Sequence, residues 1–232
     1  MTPAPARALR SRGVPGHGDV AGKASAPLAA ALGVDARERC GWAWQSSEMV
    51  RYHDQDWGVP VRDDTRLFEF LILETSQAGL SWRTILDKRE AYRTAFAGFD
   101  AERVARFTDR DIARLLADAG IVRNRAKLAA SVANARLTLR LRDEFGSFAA
   151  YLWSFVGDVP QQSTWATDAD VPVTTPTAEA LSKDLRRRDA GFVGPTTAYA
   201  LMQAVGLVND HLTTCFRRAE VARAGARPTE SL

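Results

Sequence analysis

Sulfur and imidazole are scarce in this sequence, whose 232 residues hold two cysteines and three histidines. So few cysteines exclude a disulfide-dense secreted scaffold. No run approaches the roughly 20 apolar residues that cross a bilayer, which excludes a protein embedded through spanning helices. One-sided charge is missing too: 31 basic against 28 acidic side chains leave a net +3. That surplus neither demands a nucleic-acid partner nor forbids one. Sustained period-two alternation is absent apart from short ambiguous runs such as Gln162–Thr167, so strands are not expected to build the fold. The uninterrupted apolar core of a secretory leader is also absent, and the expected location is cytoplasmic. What remains is 46% hydrophobic and 25% charged residues, the balance of a folded globular chain.

Residues 1–36 read differently from the rest. Met1–Asp35 carries Pro3, Pro5, Pro15, Pro27 and five glycines, with Asp19 its only acid before Asp35. The segment is expected to be a disordered extension, with Ala26–Leu32 able to form a turn or two of helix that nothing anchors. Residues 37–220 are expected to form one compact domain and residues 221–232 a flexible tail. Within the domain, apolar residues recur at helical spacing in Leu67–Ala78, Ile112–Leu116, Leu128–Leu141, Phe148–Phe155, Ala178–Leu185 and Thr196–Val208. Thr108 with Asp111 reads as a capping box opening Ile112–Ala119, closed by Gly120, and Pro195 fits the first turn of another helix. The predicted class is all-α, a compact domain of many short helices.

Both cysteines and two of the histidines fall into two clusters, Cys40 with His53 and His211 with Cys215. Two thiolates and two imidazoles are the donor set of a closed tetrahedral zinc site. His211 and Cys215, four apart, have helical spacing, which places both groups on one face. A metal there would tie the start of the domain to its end. Two ordinary buried cysteines and two surface histidines with no metal remain the alternative on spacing alone.

Glu74 is the second feature. On a helical projection of Asp64–Ala78, residues Leu67, Phe70, Leu71 and Ala78 form one stripe, with Arg66, Glu69, Ser76 and Gln77 opposite. Glu74 falls inside the stripe. A carboxylate buried there without a partner costs several kcal/mol, so it requires an internal arginine or a ligand that brings charge or a proton. Trp42, Trp44, Tyr52, Trp57 and Trp82 crowd the same third of the chain. An acid among aromatic rings suits a flat, cationic heterocycle, through stacking and cation–π attraction. Gly79 and Leu80 follow at a turn, where an exposed apolar tip can wedge into a base stack or simply pack.

The third feature is Leu115–Val132, two helical segments flanking Gly120-Ile-Val-Arg-Asn-Arg125. The pattern is that of a helix–hairpin–helix, which grips a DNA phosphate with hairpin amides and a helix N-terminus. The usual second glycine is missing, with Arg123 near its place. Arg123, Arg125 and Lys127 would add salt-sensitive affinity for phosphate. A tight helical corner with a solvated basic face is the plainer alternative.

Taken together the chain resembles the bacterial DNA-3-methyladenine glycosylase I (Tag) family. The matching strings are Arg39-Cys-Gly-Trp42, Tyr52-His-Asp-Gln-Asp-Trp-Gly-Val59, Leu73-Glu74, Gln77-Ala-Gly-Leu-Ser-Trp82, Ala119-Gly-Ile121 with Arg125, Trp153-Ser-Phe-Val156, Leu181-Ser-Lys183, Phe192-Val-Gly194 and Gly206-Leu-Val-Asn-Asp-His211. They run from about Arg39 to Cys215. The resemblance implies one structural zinc ion on Cys40, His53, His211 and Cys215. It implies Glu74 as the acid that reads the base, and Trp42, Tyr52 and Trp82 as aromatics of the lesion pocket. Gly79 and Leu80 would approach the gap left by a flipped nucleotide, while Gly120, Arg123, Arg125 and Lys127 would meet the backbone. Met49 stands where the family often has a tyrosine. The implied activity is excision of 3-methyladenine from double-stranded DNA by a monomer. A non-enzymatic, zinc-stapled DNA-binding module would share the hairpin and all four ligands. Glu74 separates the two readings, because a phosphate binder has no use for it.

Overall fold

The computed structural model of the chain describes residues 26–226. Twelve α-helices occupy the described residues: α1 (Ala26–Leu32), α2 (Ser47–Gln55), α3 (Asp64–Gln77), α4 (Trp82–Asp87), α5 (Arg89–Ala95), α6 (Ala101–Ala105), α7 (Asp109–Ala117), α8 (Arg125–Phe145), α9 (Phe148–Ser154), α10 (Pro176–Arg187), α11 (Pro195–Ala204) and α12 (Phe216–Gly225). A 3₁₀ turn at Gly41–Gln45 precedes α2. The only strands among the described residues are β1 (Gln161–Gln162) and β2 (Val208–Asn209), paired in parallel. The all-α expectation holds. No helix among the described residues is long and apolar enough to cross a membrane.

Local chemistry sets the helix starts. The side chains of Ser46, Asp63, Ser81, Asn124, Ser147 and Thr175 each accept a hydrogen bond from a backbone amide in the first turn that follows. Each such cap contributes about 1 kcal/mol. The capping box of Thr108 and Asp111 opens α7, but the helix stops at Ala117, two residues short of the expected end. Gly120 is not its terminator. A Cβ at Gly120 would lie 2.8 Å from the Cβ of Ala91, so the position needs glycine for close approach of the α4–α5 side.

The centre of the molecule is α3. Ten consecutive residues, Leu67 to Ser76, are buried, and α4, α5, α8, α9 and α11 pack around it. A helix enclosed on every side has no solvated face, so the expected polar side is corrected here. Glu69 and Ser76 are buried together with the apolar stripe. Glu69 tolerates burial because Arg66, Arg89 and Arg93 hold its carboxylate at 2.6, 2.8 and 3.0 Å. Asp56 closes the network on Arg66 and Arg89.

Helices at both ends of the described residues pack onto the rest. Residues before Ala26 lie outside the described ones. Within α1, however, Ala29 packs with Trp44 and Val50, and Leu28, Leu32 and Val34 flank them. The apolar residues of that short helix pack against Trp44 and Val50, so packing anchors what the sequence left unanchored. At the other end α12 continues to Gly225, with Val221 buried, because Val221 faces inward where the tail was expected to begin.

Candidate active site and metal cluster

Glu74 lies in the next-to-last turn of α3, its side chain 4% exposed. Among the described residues its Oε2 has no hydrogen-bond partner and no arginine or lysine pairs with it. Burial alone pushes its carboxyl up to about 8. The acid is therefore mostly protonated at neutral pH, able to donate one hydrogen bond and accept another. It faces a cavity of about 530 Å³ that Trp42, Met49, Tyr52, Gln77, Leu80 and Trp82 also line. Tyr52, on α2, lies 5.3 Å from the Trp82 ring and 6.1 Å from Trp42, centroid to centroid. Burial, then the nearby Glu74, raise the Tyr52 phenol well above its usual value, so it remains a neutral donor. The indole Nε1 of Trp82 is a second buried polar atom without a partner. Two unsatisfied polar groups in one aromatic cavity mark a place prepared for a ligand with polar edges and flat faces.

The loop from α3 to α4 forms the rim. Gly79 takes φ +80°, a left-handed conformation that side chains disfavour. The turn it makes leaves Leu80 42% exposed at the mouth of the cavity. Opposite stand Gln203 on α11 and Asp210. Asp210, 1% exposed, went unnoticed in the sequence. Its carboxylate accepts hydrogen bonds from Ser163 Oγ, Trp165 Nε1, Tyr199 Oη and Gln203 Nε2. Four donors fix the far wall to α11 and to the segment after β1. An acid immediately before His211 was the signal available to find it.

Behind Trp42 and Tyr52, the side chains of Cys40, His53, His211 and Cys215 converge, all buried, with ligand atoms within 4.8 Å of one another. Cys215 Sγ lies 3.4 Å from His53 Nε2 and 3.5 Å from His211 Nδ1; Cys40 Sγ lies 3.8 Å from the latter. Zinc bonds of about 2.0 Å to nitrogen and 2.3 Å to sulfur, at tetrahedral angles, separate ligand atoms by roughly 3.5 Å. The cluster fits that ion. The outward ring nitrogens are also committed: His53 Nδ1 to Asp54 at 2.8 Å and His211 Nε2 to the Trp57 carbonyl at 3.1 Å. Such outer contacts orient the inner nitrogens.

Comparison with known proteins bears directly on this arrangement. Residues 42–218 match the family model described as methyladenine glycosylase. The chain is 47% identical over 178 residues to DNA-3-methyladenine glycosylase 1 of Escherichia coli, covering 77% of this chain and 95% of that one. It is 44% identical over 177 residues to DNA-3-methyladenine glycosylase of Haemophilus influenzae, covering 76% and 96%. The chain belongs to the methyladenine glycosylase family. Among solved structures it is similar to 3-methyladenine DNA glycosylase I from Staphylococcus aureus, described for its recognition of 3-methyladenine, with a TM-score of 0.75, 39% identity and coverage of 78% and 96%.

In this methyladenine glycosylase the segment between α7 and α8 is a tight corner. Lys88 Nζ donates to the carbonyls of Ala119 and Gly120, and the Val122 amide donates to Tyr92 Oη. The Gly120 amide is already given to Asp118 at 2.7 Å, so the expected phosphate donor at that position is engaged inside the corner. Arg123 and Arg125 are exposed. Lys127 is not: its side chain is 8% exposed and its ammonium donates to the carbonyls of Ser76 and Ala78. Its ammonium is turned to the end of α3, whose bare carbonyls it satisfies.

Proposed function

We propose that this chain is a DNA-3-methyladenine glycosylase that acts as a monomer, in the cytoplasm, on double-stranded DNA. The observation that carries the reading is Glu74, a buried acid without a partner in an aromatic cavity. The family membership and the names of the relatives support it. Arg123 and Arg125 would bring the corner before α8 onto phosphates, and Leu80 would enter the stack as the nucleotide swings out. Flipping costs a few kcal/mol, least for a damaged base that pairs poorly. Trp42 and Trp82 would stack on the extruded purine, while Glu74 and Tyr52 meet its polar edge.

Alkylation at N3 makes the adenine cationic and hence a good leaving group. The bond between sugar C1′ and N9 breaks with its electron pair going to the base, and water attacks the sugar and loses a proton. Segment Leu128–Arg142 contains no carboxylate, so α8 gives no acid to the sugar across that stretch. Glu74 passes its proton to solvent water as the cation is seated, and the resulting carboxylate offsets the charge of the base. Its part is recognition as much as acceleration, since a cation is stabilised in the ground state too.

Cys40, His53, His211 and Cys215 would hold one zinc ion. With four protein ligands and no open position, the ion would supply cross-linking of the two ends of the domain and no chemistry at the base. The lesion range is tested by offering one methylated duplex set and measuring release of 3-methyladenine, 3-methylguanine, 7-methylguanine and uracil. Release led by 3-methyladenine is expected. Binding to duplex with no base released would instead favour a non-enzymatic DNA-binding module.

A further inference from the structure

Lys127 occupies a corner between the two parts of the molecule that face DNA in the reading above. Its Nζ lies 2.9 Å from the Ser76 carbonyl and 2.5 Å from that of Ala78. Those oxygens belong to the end of α3, where carbonyls lack helical partners and the helix dipole is negative. Among the described residues no carboxylate pairs with this ammonium, and burial lowers its affinity for a proton. At Ala78 the backbone leaves the helix with ψ 115°. Gly79 then turns left-handed, and Leu80 is held over the mouth of the cavity, its amide donating to Gln77. On the other side, Lys127 belongs to the first turn of α8. Its own amide donates to the capping Asn124, which stands between the exposed Arg123 and Arg125.

We infer that Lys127 is a positioning residue, which locks the Gly79–Leu80 rim to the start of α8 so that phosphate docking and insertion of Leu80 occur in one fixed register. The inference rests on the reading of Leu80 as a wedge. A lysine on solvated phosphate would be replaceable at the cost of salt-sensitive affinity. A lysine on these two carbonyls sets where the loop points, while Trp42 and Tyr52 line the cavity from segments it does not hold.

The full-length chain is compared with Lys127→Met, Lys127→Arg and Leu80→Ala in three measurements: single-turnover excision from methylated duplex, fluorescence titration with free 3-methyladenine, and salt dependence of duplex binding. For Lys127→Met, excision is expected to fall roughly tenfold or more. Free-base binding should stay within about twofold, and the salt slope should match wild type. Lys127→Arg, which keeps a charged donor, should recover most of the rate. A slope reduced by about 0.9 would make Lys127 a phosphate contact and overturn the inference. Equal losses of excision and free-base binding would reduce it to general stability, and an unchanged excision rate would also end it. Should Lys127→Met not fold, Lys127→Gln carries the same three expectations. Leu80→Ala with wild-type excision would remove the wedge itself, whatever Lys127 does.

Discussion

Glu69 and Glu74 stand five residues apart on α3, both buried, and differ in what surrounds them. Three arginines neutralise Glu69. Among the described residues no cation pairs with Glu74, which faces the cavity instead, and the resulting displacement of its carboxyl to about 8 has a consequence for stability. An unfolded glutamate titrates near 4.3. The native state therefore holds the proton more tightly, and stability is fullest below about pH 4.3 and falls as pH rises through about 8. Replacing Glu74 by Gln removes that dependence. Thermal melts of Glu74→Gln and wild type should converge near pH 4 and separate by pH 8.5 with the variant more stable, by roughly several kcal/mol. Parallel curves at the two pH values would mean that Glu74 has an ordinary carboxyl. A site that gains function by lacking a partner for its acid is destabilised by that same lack.

At the scale of elements, the corner before α8 divides its basic residues by direction. Arg123→Ala and Arg125→Ala should each lower the salt slope of duplex binding by about 0.9, measured by titration across a range of salt. Slopes equal to wild type would take both arginines off the phosphates. The sequence made α3, α8 and α10 legible, because long apolar periodicity survives in a helix wherever it packs. It did not reveal α2, α4 or α5. Their serine caps or first turns are visible, but so few turns draw their stability from packing rather than from local pattern, and only the clearer apolar spacing of α7 and α9 let helices as short as these be read. The surroundings of Lys127 were hidden for a related reason. A lysine after a hairpin looks solvated, and its true partners are backbone carbonyls distant in sequence, which carry no residue signature. Asp210 is similar: its four donors come from two separate segments, and only the fold collects them.

Across the whole molecule, the cluster of Cys40, His53, His211 and Cys215 lies directly behind the aromatic wall, with Trp42 5.4 Å from the His53 ring. The two ends of the domain meet there. A structural zinc ion would contribute on the order of 10 kcal/mol of apparent binding energy, comparable to the stability of a domain. Elemental analysis should find about one zinc per chain, and Cys40→Ala should melt well below wild type while its order of preference among bases is retained. A metal-free chain of equal stability would leave the cluster a set of buried thiols and imidazoles. The reading of the molecule as a repair enzyme turns on Glu74. Its most direct test is single-turnover release of 3-methyladenine from methylated duplex by wild type and Glu74→Gln, with folding of both checked by circular dichroism. A loss of roughly tenfold or more, about 1.4 kcal/mol, in a folded variant is the expected result; release at the wild-type rate would contradict the account.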